Sequence, residues 1–165
     1  MDKTLIMQGY VTSEPFAIET KGGFKPQIFL LADDAGYEAY ATLIDTTTAM
    51  VQQHPDLVQR FVDASIEGWY SYMYGDPAPG NALIKQDNPD MSDAQLAYSL
   101  GKMKEYGIVD SGDAKTLGIG AMTDARWKSF FESAVAAGLY PASVDYTKAY
   151  SLQFVNKGHG IAMRK

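Results

Sequence analysis

The spacing of apolar residues changes partway along the chain. Before Thr47, short apolar runs lie between turn residues: residues 28–31 follow Pro26, and residues 40–47 are rich in aromatic and β-branched side chains. Such runs are typical of β-strands. After Thr47, apolar residues recur every three or four positions, which is the period of an amphipathic α-helix. The chain is therefore expected to begin with a few strands and to continue with helices.

About five helices are expected in this second part. The first runs from Thr47 to about His54, and a long one opens at Pro55, because proline fits the first turn of a helix. The remaining predicted helices lie at residues 81–86, after Ser92, after Thr123 and at residues 145–152. At Ser92 the pattern is a capping box, in which the Ser92 hydroxyl and the Gln95 amide each bond the other residue's backbone N–H.

The long helix carries one apolar face, and Trp69 on this face is expected in the core. The face comprises Leu57, Val58, Phe61, Val62, Ser65, Ile66, Trp69 and Met73. No strand is predicted between the helices, which excludes an alternating βαβ chain. The predicted fold class is α/β and helix-rich, with a sheet too small for its helices, as in part of a larger fold.

Composition and charge exclude several classes of function. The net charge is −6 and the sequence has no basic cluster, so binding to nucleic acid or to an anionic membrane is not expected. The absence of cysteine excludes disulfides, thiolate metal sites and cysteine nucleophiles. No run approaches the roughly 18 apolar residues of a membrane span. The N-terminus has only the short apolar run Leu5-Ile6-Met7 and does not have the pattern of a signal peptide.

No catalytic or metal-binding set stands out in the sequence. The two histidines, His54 and His159, are far apart, and neither has a carboxylate or a second histidine at ligand spacing. We therefore expect no enzyme activity, no metal and no cofactor.

The strongest candidate for ligand binding is Glu14 with its neighbours Tyr10, Ser13 and Phe16. Because Pro15 follows Glu14, the carboxylate is expected on a turn. A carboxylate between aromatic rings can accept hydrogen bonds from an exocyclic amine while the rings stack on a flat heterocycle, as acidic side chains read the amino group of cytosine. The alternative is a surface carboxylate that caps a turn.

Several short motifs, taken in order, resemble one protein family. They are Gln8-Gly9-Tyr10-Val11-Thr12-Ser13-Glu14-Pro15-Phe16, Pro55-Asp56-Leu57-Val58-Gln59-Arg60-Phe61, Asn88-Pro89, Tyr106-Gly107-Ile108-Val109, Gly118-Ile119-Gly120-Ala121-Met122-Thr123 and Arg126-Trp127. The chain resembles the C-terminal half of substrate-binding proteins of ABC importers, in the thiamine-pyrimidine-precursor and nitrate/sulfonate group. The resemblance extends from about Gln8 to Gly158.

The resemblance implies part of a two-lobed periplasmic-binding-protein fold of type 2, which closes on a small molecule. Residues 1–40 would form the end of the second lobe and the return crossing, and residues 41–165 would complete the first lobe. The parent protein would be periplasmic or lipid-anchored outside the cytoplasm and would meet the membrane subunits of the importer. A signal peptide and a first part of the fold would then precede Met1.

The resemblance also draws attention to Tyr37 and Tyr40, which flank the return crossing near the expected cleft. A tyrosine offers a ring face and a hydroxyl, and both suit a ligand site. The alternative is a pair of half-buried tyrosines on a strand edge.

The leading hypothesis is a non-enzymatic substrate-binding protein for a small heterocycle, with a thiamine pyrimidine precursor as first choice. An anion site would favour arginine, lysine or helix N-termini, and none stands beside Glu14. Two alternatives remain open. One is an enzyme similar to this family that synthesises the pyrimidine with a histidine and bound iron. The other is a helical interaction fragment that self-associates.

Overall fold

The structure, a computed structural model, describes residues 4–36 and 39–164. Its α-helices are α1 (Glu14–Ala17), α2 (Leu31–Ala35), α3 (Thr48–Gln53), α4 (Pro55–Tyr74), α5 (Ala78–Asp87), α6 (Asp93–Glu105), α7 (Ala114–Leu117) and α8 (Asp124–Ala136). A π-helical turn, Ile18–Gly22, follows α1, and 3-10 turns lie at Tyr146–Lys148 and Ile161–Met163. The helix-rich character predicted from the sequence is confirmed.

The predicted strands do not form in the described residues. In the first segment, the Asp34 side chain accepts a hydrogen bond from the Leu30 N–H at 2.8 Å, and the Asp34 N–H donates to the Leu30 carbonyl at 2.8 Å. These bonds close a turn, and α2 replaces the end of the expected strand. In the second segment, Thr42 has a φ of +56°, a left-handed backbone that interrupts an extended run.

The helices were predicted more accurately than the strands, and α3, α6 and α8 each begin at a side-chain cap. Thr47, Ser92 and Thr123 each accept a hydrogen bond from the backbone N–H three residues later, at 3.1, 3.1 and 3.4 Å. Helices α3, α4, α6 and α8 lie where the sequence placed them, and α5, predicted at residues 81–86, begins three residues earlier and ends one residue later. The predicted helix at 145–152 is reduced to the 3-10 turn Tyr146–Lys148.

The described residues divide into two compact units. Unit 1 comprises residues up to Phe29 together with Asp76–Ile108, and unit 2 comprises Leu30–Gly75 together with the residues from Val109 onward. Unit 1 contains α1, α5 and α6, with Pro15 and Leu96 buried. The division into lobes at residue 40 stays a prediction.

The core of unit 2 is built on one face of α4. It comprises Val58, Val62, Ile66, Tyr70, Ile119 and Phe154. Tyr70 is completely buried, and its hydroxyl accepts the Ile119 N–H at 3.0 Å. The predicted apolar face was too wide: Phe61 is 61% exposed and Trp69 is 39% exposed, so Trp69 is not a core residue.

The C-terminal segment of unit 2 is held by Arg164. Its guanidinium donates to both Asp110 oxygens, at 2.6 and 2.8 Å, and to the carbonyls of Ala114 and Lys115 at 2.9 and 2.8 Å. The Asp110 side chain is only 5% exposed and also accepts a hydrogen bond from the Tyr74 hydroxyl. This buried carboxylate is therefore fully paired.

Candidate functional site

The residues around Glu14 form a tight turn that leads into α1. The backbone N–H groups of Ser13 and Glu14 both donate to the Tyr10 carbonyl, at 3.0 and 3.2 Å. Pro15 follows in the first turn of α1, where its missing N–H costs nothing. A turn is present just before Glu14, but Glu14 itself is the first residue of α1 and not, as had been expected, a turn residue. The turn fixes the backbone from which the Glu14 side chain projects.

The Glu14 carboxylate folds back over this turn. Its Oε2 accepts the Tyr10 N–H at 2.6 Å and the Ser13 hydroxyl. The Ser13 bond, assisted by the Tyr10 N–H, lowers the pKa of Glu14 although burial opposes the shift. The carboxylate is therefore ionised at neutral pH. Since both bonds end on Oε2, the second oxygen, Oε1, remains able to accept a donor from a ligand.

Gly9 makes room for the folded side chain. A Cβ atom added at Gly9 would lie 2.8 Å from the Glu14 Cγ, closer than carbon atoms that are not bonded to each other normally approach. A side chain at position 9 would thus displace the carboxylate.

Glu14 opens onto a hollow of about 610 Å³ within unit 1. The hollow is lined by Ser13, Glu14, Phe16, Ala17, Thr20, Lys21, Asn88, Asp90, Met91, Ser92 and Gln95. Two carboxylates and one lysine give the lining a net negative formal charge. A neutral or cationic ligand therefore fits the charge of this hollow better than an anion does.

The predicted site residues are only partly brought together. Ser13, Glu14 and Phe16 line the hollow, while the Tyr10 side chain does not and is 73% exposed. Tyr10 contributes to the site through its backbone N–H. Tyr37 lies outside the described residues.

Tyr40 belongs to unit 2, where its side chain has a structural partner. Its hydroxyl accepts the Thr123 N–H at 2.8 Å, and the Arg126 guanidinium lies 4.7 Å from the centre of its ring. The side chain is half-buried, as the structural alternative expected, although it stands on no strand. A ligand role for Tyr40 stays a prediction.

The wall formed by residues 88–95 was not foreseen as part of the site. The sequence had drawn attention to one residue of this wall, Gln95, whose side chain was expected to accept the Ser92 backbone N–H in a capping box. Instead, the Gln95 Nε2 donates to the Thr12 carbonyl at 3.2 Å and to the Ser99 hydroxyl at 3.3 Å. Because the contact with Thr12 spans 83 residues of sequence, no local pattern could have indicated it.

Two further features concern the described residues as a whole. No group of three or more acidic or histidine side chains among them is placed to hold a metal ion. No helix within residues 4–36 and 39–164 combines the length and the apolar character needed to cross a membrane.

Comparison with known proteins finds one family model and one curated relative that are similar to the chain. The model of a family described as NMT1/THI5 like matches residues 4–79, which include the Glu14 turn and α4. The riboflavin-binding protein RibY of Chloroflexus aurantiacus is 27% identical over 158 residues. These residues are 95% of this chain but 44% of that relative, so the chain spans less than half the length of the curated relative it matches. No solved structure matches the chain significantly. The family match and the relative confirm the resemblance found in the sequence: the chain is similar to the substrate-binding proteins of ABC importers.

Proposed function

We propose that this chain provides a ligand-binding surface of an ABC-importer substrate-binding protein for a small heterocycle, and that a thiamine pyrimidine precursor is the first candidate. The protein acts by binding and releasing the solute rather than by chemistry on it. In the whole protein, a two-lobed α/β fold outside the cytoplasm delivers the ligand to the membrane subunits of the importer. The single observation that carries the proposal is the ionised Glu14 carboxylate beside Phe16 in the hollow of unit 1.

The chemistry of the hollow favours a donor-bearing ring. Glu14 Oε1 accepts a hydrogen bond from an exocyclic amine, and a bond to a charged acceptor contributes more than a neutral one. Phe16 supplies an aromatic face, held against Tyr98 with ring centres 5.3 Å apart. An aminopyrimidine matches both features. A sulfonate or nitrate would meet two carboxylates and one lysine.

Riboflavin is the second candidate, favoured by the relative that is named for binding it. Its isoalloxazine ring is also flat and carries an imide N–H that a carboxylate can accept. Glu14 and Phe16 would then serve the same two purposes. The synthase alternative gains no support from the site, because no histidine is among the residues that line the hollow.

Titration calorimetry on the 165-residue chain tests the proposal with three probes: 4-amino-2-methylpyrimidine, the same ring without its amine, and methanesulfonate. We expect heat of binding for the aminopyrimidine and weaker or no binding for the other two. Riboflavin is tested in parallel by the quenching of its own fluorescence. Binding of riboflavin alone would select the second candidate, and equal binding of methanesulfonate would overturn both.

A further inference from the structure

The turn that carries Glu14 is held from outside by two side chains of α6. The Thr12 carbonyl, two residues before Glu14, accepts the Ser99 hydroxyl at 2.7 Å and the Gln95 Nε2 at 3.2 Å. Gln95 and Ser99 are four residues apart and so lie on the same face of the helix. The Gln95 Nε2 also donates to the Ser99 Oγ at 3.3 Å, which closes a ring of three hydrogen bonds.

The same helix face also holds the turn on the other side of Glu14. Tyr98, three residues after Gln95 and so on the same face of α6, contacts the Phe16 ring. The backbone is therefore fixed to α6 at Thr12 and at Phe16, and Glu14 lies between the two attachments. A site residue flanked in this way is held in one orientation before a ligand arrives.

The Ser99 hydroxyl has a local alternative. It lies 2.8 Å from the Gln95 carbonyl, the usual acceptor for a serine within a helix. Ser133 on α8 makes only such a bond, to the Ser129 carbonyl at 2.9 Å. Ser99 differs from Ser133 in its bond to the Thr12 carbonyl. Substituting each serine in turn therefore separates the loss of this bond from the loss of a serine bond within a helix.

We infer that Ser99 and Gln95 are positioning residues for the ligand site: by holding the Thr12 carbonyl they fix the turn that presents the Glu14 carboxylate to the hollow. The ligand part of this inference rests on the proposed function. The hold on the turn itself is a property of the free protein. Preorganisation of this kind strengthens binding because the ligand does not have to order the turn.

The first experiment follows the Glu14 carboxyl by carbon NMR through an acid titration. The other titratable groups that line the hollow are Lys21 and Asp90, and the substitutions leave both unchanged. In Ser99→Ala the loosened turn should weaken the bonds from Ser13 and Tyr10, so the Glu14 pKa should rise toward its ordinary value. Ser99→Thr keeps the hydroxyl, so the Glu14 pKa should stay as low as in the wild type. Ser133→Ala removes a helix serine without a partner in the turn and should change nothing.

An unchanged Glu14 pKa in Ser99→Ala would overturn the inference, as would an equal rise in Ser133→Ala. Gln95→Met is the second variant: it removes the amide donor at nearly the same size and adds no charge. It should shift the Glu14 pKa in the same direction as Ser99→Ala. Loss of protection of the Tyr10 amide against hydrogen exchange is the accompanying signature, since this N–H donates to Glu14.

The second experiment measures affinity for 4-amino-2-methylpyrimidine. Ser99→Ala should weaken binding about fivefold, the effect of losing one neutral hydrogen bond, although Ser99 does not line the hollow. Wild-type affinity in Ser99→Ala would contradict a positioning role. If the wild-type chain binds neither this probe nor riboflavin, the proposed function fails, while the titration still decides whether α6 holds the turn.

Discussion

The Tyr40 hydroxyl accepts a hydrogen bond from the backbone N–H of Thr123, at the N-terminus of α8. Thr123 is itself the cap of that helix, and its hydroxyl accepts the Arg126 N–H. Arg126 reaches back with its guanidinium over the Tyr40 ring and donates to the Ala39 carbonyl at 3.2 Å. The start of α8 is thus bonded to the segment that the sequence associated with the ligand.

Removing the Tyr40 hydroxyl should therefore destabilise the protein. In Tyr40→Phe the Thr123 N–H loses its acceptor in a half-buried position, which costs about 1–3 kcal/mol. Urea unfolding, monitored by circular dichroism, measures the change in the free energy of unfolding. Tyr140→Phe is the control, because Tyr140 is exposed and its change should stay within about 0.5 kcal/mol. Equal losses in the two variants would show that the Thr123 bond does not contribute.

Glu14→Gln tests the ligand contact directly. The substitution replaces an acceptor oxygen by a donor and removes the charge, so affinity for an aminopyrimidine should fall by about 1.5–3 kcal/mol. Titration calorimetry measures it, with Glu19→Gln as a control, since Glu19 does not line the hollow. Unchanged affinity in Glu14→Gln would remove Glu14 from the site.

The lowered pKa of Glu14 also predicts a pH dependence of stability. A carboxylate whose folded pKa lies below its ordinary value of 4.5 stabilises the fold above that pH. The contribution is lost as the pH falls through the folded pKa. The unfolding free energy of the wild type, relative to Glu14→Gln, should accordingly decrease below pH 4.5. A difference that is constant with pH would contradict this.

The helices were predictable because their signals are local. A cap such as Thr47 or Ser92 and a proline such as Pro55 act within one turn, and the sequence shows them directly. The strands were not predictable in the same way, because a strand needs a partner that no local pattern specifies. The Asp34 side chain and the positive φ of Thr42 decided against extended pairing in both segments.

The face of α4 illustrates a finer limit. Periodicity alone predicted a wide apolar face on α4 and could not show which residues of that face are buried by the rest of unit 2. Tyr70, which the predicted face did not include, is completely buried, and its hydroxyl accepts the Ile119 N–H. Likewise, the turn beside Glu14 was foreseen, but the other wall of the hollow is formed by residues 88–95, about 80 positions later in the sequence.

Arg164→Ala should destabilise unit 2 strongly. It leaves the buried Asp110 carboxylate with the Tyr74 hydroxyl but without its counter-charge, and breaking a buried pair costs about 3–5 kcal/mol. The matched control is Arg60→Ala, which breaks the exposed pair with Asp56 and should cost less than about 1 kcal/mol. Similar thermal unfolding of both variants would show that the Arg164 contacts are not needed.

We expect the 165-residue chain to self-associate through the exposed side of α4. Leu57, Phe61 and Trp69 are all exposed there, and apolar patches of this kind usually acquire partners. Light scattering during size-exclusion chromatography should show a mass above 18.1 kDa that falls on dilution. Phe61→Glu should shift the protein toward monomer, whereas Leu83→Glu, on α5, should not. A wild-type monomer at every concentration would contradict the expectation.

The hydrogen bond between Ser99 and Thr12 joins residues 87 positions apart, and this separation governs how unit 1 folds. The hydrogen bonds within α4 are local, so this 20-residue helix can begin to form as soon as its own residues leave the ribosome. The attachment of the Glu14 turn at Thr12 must wait for α6, which at ordinary rates of synthesis takes on the order of ten seconds. By then α4, which includes Tyr70, has already been synthesised. The ligand-binding hollow is thus assembled late, by the meeting of an early segment with a helix made long after it.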